Sequence, residues 1–155
     1  MSGGDARTGA ATHGGAPSRI DAATLRAYRE TRYRVDADPP FTLRVDVRSD
    51  ALAALHARRG VAASAFVTAC NPHGRLLDAA GNAGRRARLL DELARLGTAH
   101  VAGLGRHPSN DWPGEESVLA LGLDLDAACA LARRHAQNAL LWCGADATPA
   151  LVLLR

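Results

Sequence analysis

The stretch VAASAFVTAC at residues 61–70 decides the fold class of this chain. It has almost no polar alternation, and in a piece this short an unbroken apolar run reads as a strand covered on both faces. Such a strand lies centrally in a sheet with packed layers on either side. Its neighbours in sequence supply those layers. Upstream, Ser49 can cap a short helix that carries Leu52 and Leu55, and Gly60 stands where a left-handed C-terminal residue is wanted. Downstream, Asn71-Pro72 stops the strand, a loop passes through His73-Gly74, and Asp78 can cap a helix reaching Leu96 with Gly97 just past its end.

Further out the same alternation continues. Phe41, Leu43, Val45 and Val47 alternate with Thr42, Arg44 and Asp46 after the Pro39-Pro40 break, the period of an exposed or edge-proximal strand. Before it, Ser18 and Asp21 open a helix on which Leu25, Tyr28, Arg32 and Val35 fall at helical spacing, so that helix is expected to run to about Val35. Residues 98–105 read as a strand, 106–116 as a long loop, and 117–123 as a further strand. Asp124 caps a helix, and 138–143 pairs with 149–154 as a terminal hairpin. Residues 1–17 hold five glycines and no large apolar residue after Met1, too little burial to offset the entropy of ordering. The expectation is a disordered tail over 1–17 and a single α/β domain over 18–155. That domain has a mixed sheet of about six strands with helices packed on it, its strands at Phe41, Val61 and Thr98 parallel through a right-handed βαβαβ start.

Composition narrows the function more by exclusion than by indication. With 155 residues, 47% hydrophobic and 23% charged, the chain can bury one core without disulfides or a structural metal. All 19 basic residues are arginine, but the net charge is only +3 and the charges are scattered, which argues against obligatory nucleic-acid binding. Cys70, Cys129 and Cys143 are odd in number, widely spaced and in apolar settings, as reduced core thiols of a cytoplasmic protein would be. No CxxC, HExxH, phosphate loop, GxGxxG after a strand or GxSxG elbow occurs, so no metal and no cofactor is implied. The longest apolar runs are strand-sized and no apolar leader is present, so no membrane partner is expected.

Parity places the polar residues. If the first strands are parallel, their carboxyl ends share one edge, the side of an open α/β sheet where ligands bind. Asn71, the start of the long helix, the 106–116 loop and Gln137-Asn138 all come to that edge. On the long helix Asn82, Arg86, Leu89, Leu93 and Leu96 share one face, so a core stripe turns polar at its N-terminal end. Asn82 and Arg86 then either line a pocket or meet buried partners, and Arg86 pairing with Glu115 or Glu116 is the structural alternative. Glu115 and Glu116 stand beside Trp112, a setting in which a carboxyl can act as general acid or base. Gln137, the one glutamine in the chain, and Asn138 offer neutral amides suited to recognition or to capping.

Taken in order, Tyr28…Thr31-x-Tyr33, then Phe66-Val67-Thr68-Ala69-Cys70-Asn71-Pro72, then Asn82 ahead of an Arg-rich helix, Trp112-Pro-x-Glu-Glu-Ser117 and Gln137-Asn138-Ala139 resemble a bacterial family, the domain of unknown function 3293. The resemblance spans about Leu25 to Leu154 and brings no activity with it. Thr68, which opens the Thr-Ala-x-Asn-Pro motif, and Trp112 complete the candidate ligand-binding set with Asn71, Asn82, Arg86, Gln137 and Asn138. Glu115 and Glu116 are the acid/base candidates. The function expected is binding of a small polar or anionic metabolite at this edge. The alternative is a non-catalytic module whose Trp112 loop and arginines contact a protein or RNA.

Overall fold

Each helix starts at a side chain able to accept a backbone N–H, and the structure, a computed structural model describing residues 11–12 and 18–155, uses all four. Asp21 caps α1 (Ala22–Glu30), Ser49 caps α2 (Asp50–Arg59), Asp78 caps α3 (Ala79–Arg95) and Asp124 caps α4 (Leu125–Arg134). Gly60 closes α2 in the left-handed region at φ 65.

The strands are β1 (Ala11–Thr12), β2 (Arg32–Val35), β3 (Phe41–Leu43), β4 (Ser64–Thr68), β5 (His100–Arg106), β6 (Glu115–Leu121), β7 (Ala139–Cys143) and β8 (Pro149–Leu153). They form one sheet in the order β1-β8-β7-β4-β6-β5-β2-β3. β4, the strand of the opening quotation, lies inside it between β7 and β6. Every ladder from β8 to β3 is antiparallel, and β1 adds a two-residue parallel pairing on β8. The rest of the tail expected over 1–17 lies outside the described residues.

The α/β layering stands as expected, and the strand pairing differs in two ways. First, helix α1 stops at Glu30, where Thr31 turns to ψ 145 and donates its hydroxyl to the Ala27 carbonyl. Arg32–Val35 is a strand instead of the last turn of a helix. Tyr28, Arg32 and Val35 fit helical spacing, but Tyr33 and Val35 also alternate with Arg32 and Arg34. The ladders to β3 and β5 favour the period of two. Second, β3, β4 and β5 do run in one direction, yet none is beside another. β6 lies between β4 and β5, and β2 between β5 and β3. The carboxyl ends of β3, β4 and β5 and the amino ends of β2, β6 and β7 therefore still share one edge.

The two faces of the sheet bury different helices. On one, Phe66, Leu119, Leu141 and Leu151 pack with Leu52 and Leu55 of α2, and Leu25 and Tyr28 of α1 cover them in part. On the other, Ala65, Val67, Val118 and Ala120 pack against Leu89 and Leu93 of α3 and Ala128, Leu131 and Ala132 of α4. None of the nine residues of α1 is fully buried. Leu96, expected on the core stripe of the long helix, is exposed because the helix ends before it. The three cysteines are buried and unpaired. No described helix is long and apolar enough to cross a membrane.

Candidate functional site

Strand alternation sets up a cavity at the shared edge. Tyr33 of β2, Gly105 of β5 and Glu115 of β6 are register partners, so they form one cross-strand row on the face covered by α1. With no side chain at Gly105 the middle of that row is open. A second glycine on the same strand is obligatory: a Cβ at Gly103 would lie 2.6 Å from the Arg34 carbonyl oxygen and 2.7 Å from the Phe66 ring. The Phe66 ring therefore sits against Gly103 and Gly105 of β5, in edge-to-face contact with Tyr33 with centroids 5.4 Å apart. Above this floor, between α1 and the 107–114 loop, is a cavity of about 560 Å³. Tyr28, Tyr33, Phe66 and Trp112 line it, four of the six aromatic residues in the chain.

Glu115 is the charged group of that row, and the exposed Arg19, Asp21 and Arg155 also line the cavity. Its Oε2 accepts from Asn71 Nδ2 at 2.7 Å and from Trp112 Nε1 at 3.2 Å. No described residue forms an ion pair with it. Burial pushes its carboxyl above the usual carboxylate value, and the two neutral donors offset only part of that. Burial likewise raises the Tyr28 phenol, with a smaller contribution from the Glu115 charge, while the Asn138 bond opposes it.

The residues expected at the edge divide between the two faces. Thr68, Asn71, Trp112, Glu115, Gln137 and Asn138 line the cavity. Asn82, Arg86 and Glu116 do not. Glu116 follows Glu115 on a strand and so points to the opposite face, where Arg86 Nε lies 3.4 Å from its carboxylate without hydrogen-bond geometry. Both glutamates belong to β6 because they pair with Gly105 and Leu104, which shortens the expected loop to 107–114. Asn82 is a bracket for Asn71: its Oδ1 accepts the Asn71 backbone N–H at 2.9 Å and its Nδ2 donates to Asn71 Oδ1 at 3.0 Å. Asn71 Oδ1 also accepts from Leu77 N–H. Asn71 is thus a fixed support that aims its remaining donor at Glu115.

Among the cavity residues, Gln137 donates to the Cys70 and His135 carbonyls at 3.1 Å each, joining the end of α4 to the end of β4. Thr68 donates to the Glu116 carbonyl and accepts from Cys70 N–H. Asn138 donates to the Tyr28 hydroxyl at 3.2 Å and accepts from Arg155 at 3.3 Å. Tyr33 donates to the Tyr28 carbonyl at 2.6 Å.

Several functional candidates are new to the structure: Tyr28, Tyr33 and Phe66 as walls, and His73, His107 and Arg155 at the rim. The scarcity of aromatics was the usable signal for the first three. His107 Nδ1 accepts from the N–H groups of Ser109 and Asn110, which leaves Nε2 to donate to Glu30 at the end of α1. Backbone strain gathers here too. Asn71 and His73 hold φ near 50 and Ala136 holds φ 55, with His73 N–H bonded to the Ala136 carbonyl. Strain of this kind persists only where surrounding structure enforces it, and it clusters at functional sites. Among the described residues no group of three or more His, Cys, Asp or Glu could hold a metal ion.

Residues 67–140 match the model of a family described as "Protein of unknown function (DUF3293)". The matched span holds Asn71, Trp112, Glu115, Gln137 and Asn138, and excludes Tyr28, Tyr33 and Phe66. No curated protein and no solved structure matches the chain.

Proposed function

We propose, for a chain that belongs to the family described as "Protein of unknown function (DUF3293)", that the cavity beneath α1 binds a small polar metabolite carrying an anionic group. The observation that carries this reading is the Glu115 carboxyl, half-buried in a cavity and held by neutral donors alone. A buried carboxyl without a cation is costly to keep, and cavities of several hundred Å³ with an apolar lining and a few converging polar groups are the usual form of a small-molecule site. The exposed Arg19 and Arg155 of its lining outnumber the exposed Asp21 there and supply positive charge for the anionic end. If the bound molecule is transformed, Glu115 is the group suited to move a proton, because its raised pKa lies nearer neutrality than that of an ordinary carboxyl. Three unpaired cysteines suit a cytoplasmic setting.

The test is a thermal-shift screen of nucleotides, sugars and amino-acid derivatives. A ligand at 100 times its Kd adds about 2.7 kcal/mol of stability. The expected hit is weakened by Glu115→Gln and Arg155→Ala and kept by Arg48→Ala, whose side chain pairs with Asp50 away from the cavity. A screen without hits, or a hit indifferent to Glu115 and Arg155, refutes the reading.

A further inference from the structure

Two features of the inner end of the cavity narrow the ligand class. One is the concentration of Tyr28, Tyr33, Phe66 and Trp112 around it in a chain with only six aromatic residues. Aromatic faces are electron-rich and attract cations, most strongly where water is excluded. The other is the way Glu115 is engaged. Oε2 already accepts two hydrogen bonds, and Oε1 receives none from any described residue. A guanidinium or an amidine-like base edge recognises a carboxylate through both oxygens at once. One free oxygen leaves room for a single ionic contact, as an ammonium group makes, and not for a planar bidentate partner.

We propose that the inner end of the cavity receives an organic ammonium group, seated against Glu115 among the rings of Tyr28, Tyr33, Phe66 and Trp112. This rests on the reading of the cavity as a ligand site and adds an orientation to it. The Glu115 charge repels an anionic group, so the anionic end of the ligand points outward to Arg19 and Arg155. The ligand class is then a small zwitterion with its ammonium innermost. Trp112 has two tasks in this arrangement: its N–H holds Glu115 Oε2, and its ring, 40% exposed, forms the solvent-side wall of the ammonium seat.

The experiment is isothermal titration of the full chain in mildly alkaline buffer with choline, with dimethylbutanol as its neutral carbon isostere, and with glycine betaine as the zwitterion. Choline is expected to bind at least about tenfold more tightly than dimethylbutanol, and betaine at least as tightly as choline. Glu115→Gln should bring choline down to the level of the isostere, and Trp112→Ala, a substitution at a partly exposed position, should weaken it as well. Equal affinity for choline and its isostere, or no binding of either, overturns the ammonium inference using the unaltered protein alone. If sugars or nucleotides still bind in a Glu115- and Arg155-dependent way, the ligand site stands and only the ammonium inference falls. If nothing binds at all, both fall.

Discussion

Asn82→Ala and Arg86→Leu should part company, although the two residues share a helix face one turn apart. Asn82 makes two hydrogen bonds to Asn71, which is itself only 4% exposed. Truncation removes both. The Asn71 carboxamide oxygen keeps its bond from Leu77 N–H, so that loss is about 1 kcal/mol, the net value of one hydrogen bond. The Asn71 backbone N–H is left with no acceptor, which costs about 1–3 kcal/mol. The sum is about 3 kcal/mol, a fall in melting temperature of about 6–12 °C for a domain of this size. Arg86 is different. Its pair with Glu116 is a surface contact of about 0–1 kcal/mol, with the glutamate side chain 67% exposed. Its buried Nε has no hydrogen bond to lose, so leucine relieves an unsatisfied group. Arg86→Leu should stay within about 1 kcal/mol of the parent. Urea unfolding of both variants at constant pH decides it. A loss below about 1 kcal/mol for Asn82→Ala, or above about 2 for Arg86→Leu, refutes the reasoning.

Gly103→Ala should destabilise by about 1–3 kcal/mol, because the new methyl meets backbone and an aromatic ring below 3.0 Å, whereas Gly105→Ala meets only ordinary contacts; a neutral Gly103→Ala in thermal melts would contradict the packing of Phe66. Glu115 has a folded pKa above its unfolded value, so the folded state binds its proton more tightly and this group's contribution to stability falls as pH rises from the ordinary carboxylate range through the raised folded value. Glu115→Gln keeps an acceptor for Asn71 and Trp112 and should remove that slope, making the variant relatively more stable near neutrality; a steeper slope in urea midpoints measured across that range would reverse the assignment. Burial pushes the Cys143 thiol up to about 12 and raises those of Cys70 and Cys129, so all three should resist iodoacetamide in the folded protein and react in urea, and fast labelling of the native chain would argue against it.

Much of this architecture was readable because its signals are local. Asp78, Asp124 and Ser49 announce their helices, and the apolar run around Phe66 announces an interior strand. The shared edge was readable for a subtler reason, since parity of direction survives even when strands are not neighbours. What sequence could not supply was the pairing. Nothing in Arg32–Val35 distinguishes a final helical turn from a strand until β5 is there to accept it. The same gap affected the site. Glu115 and Glu116 read as an equivalent pair, and only the ladder to Gly105 and Leu104 sends one into the cavity and the other to Arg86. The helix stripe joined Asn82 and Arg86 to the cavity, yet it lies behind the sheet and reaches the cavity only through Asn71. The aromatic walls come from α1, β2, β4 and the 107–114 loop, far apart in the chain and brought together by the fold alone.

Helix α1 roofs the cavity while burying none of its own residues completely, and its side-chain tethers fall at one end. Tyr28 receives bonds at its carbonyl and hydroxyl from Tyr33 and Asn138, Arg29 pairs with Asp46, and Glu30 meets His107. The free energy of lifting its first turn is therefore a small fraction of that of parting the antiparallel ladders below. On the proposed reading of the cavity, entry and exit of a ligand become questions of rate at the Asp21 end of the roof, separable from the affinity set on the floor. Amide exchange should record this as a gradient along one short helix, fastest after Asp21 and slowest near Glu30, with the β4 and β6 amides far slower than either.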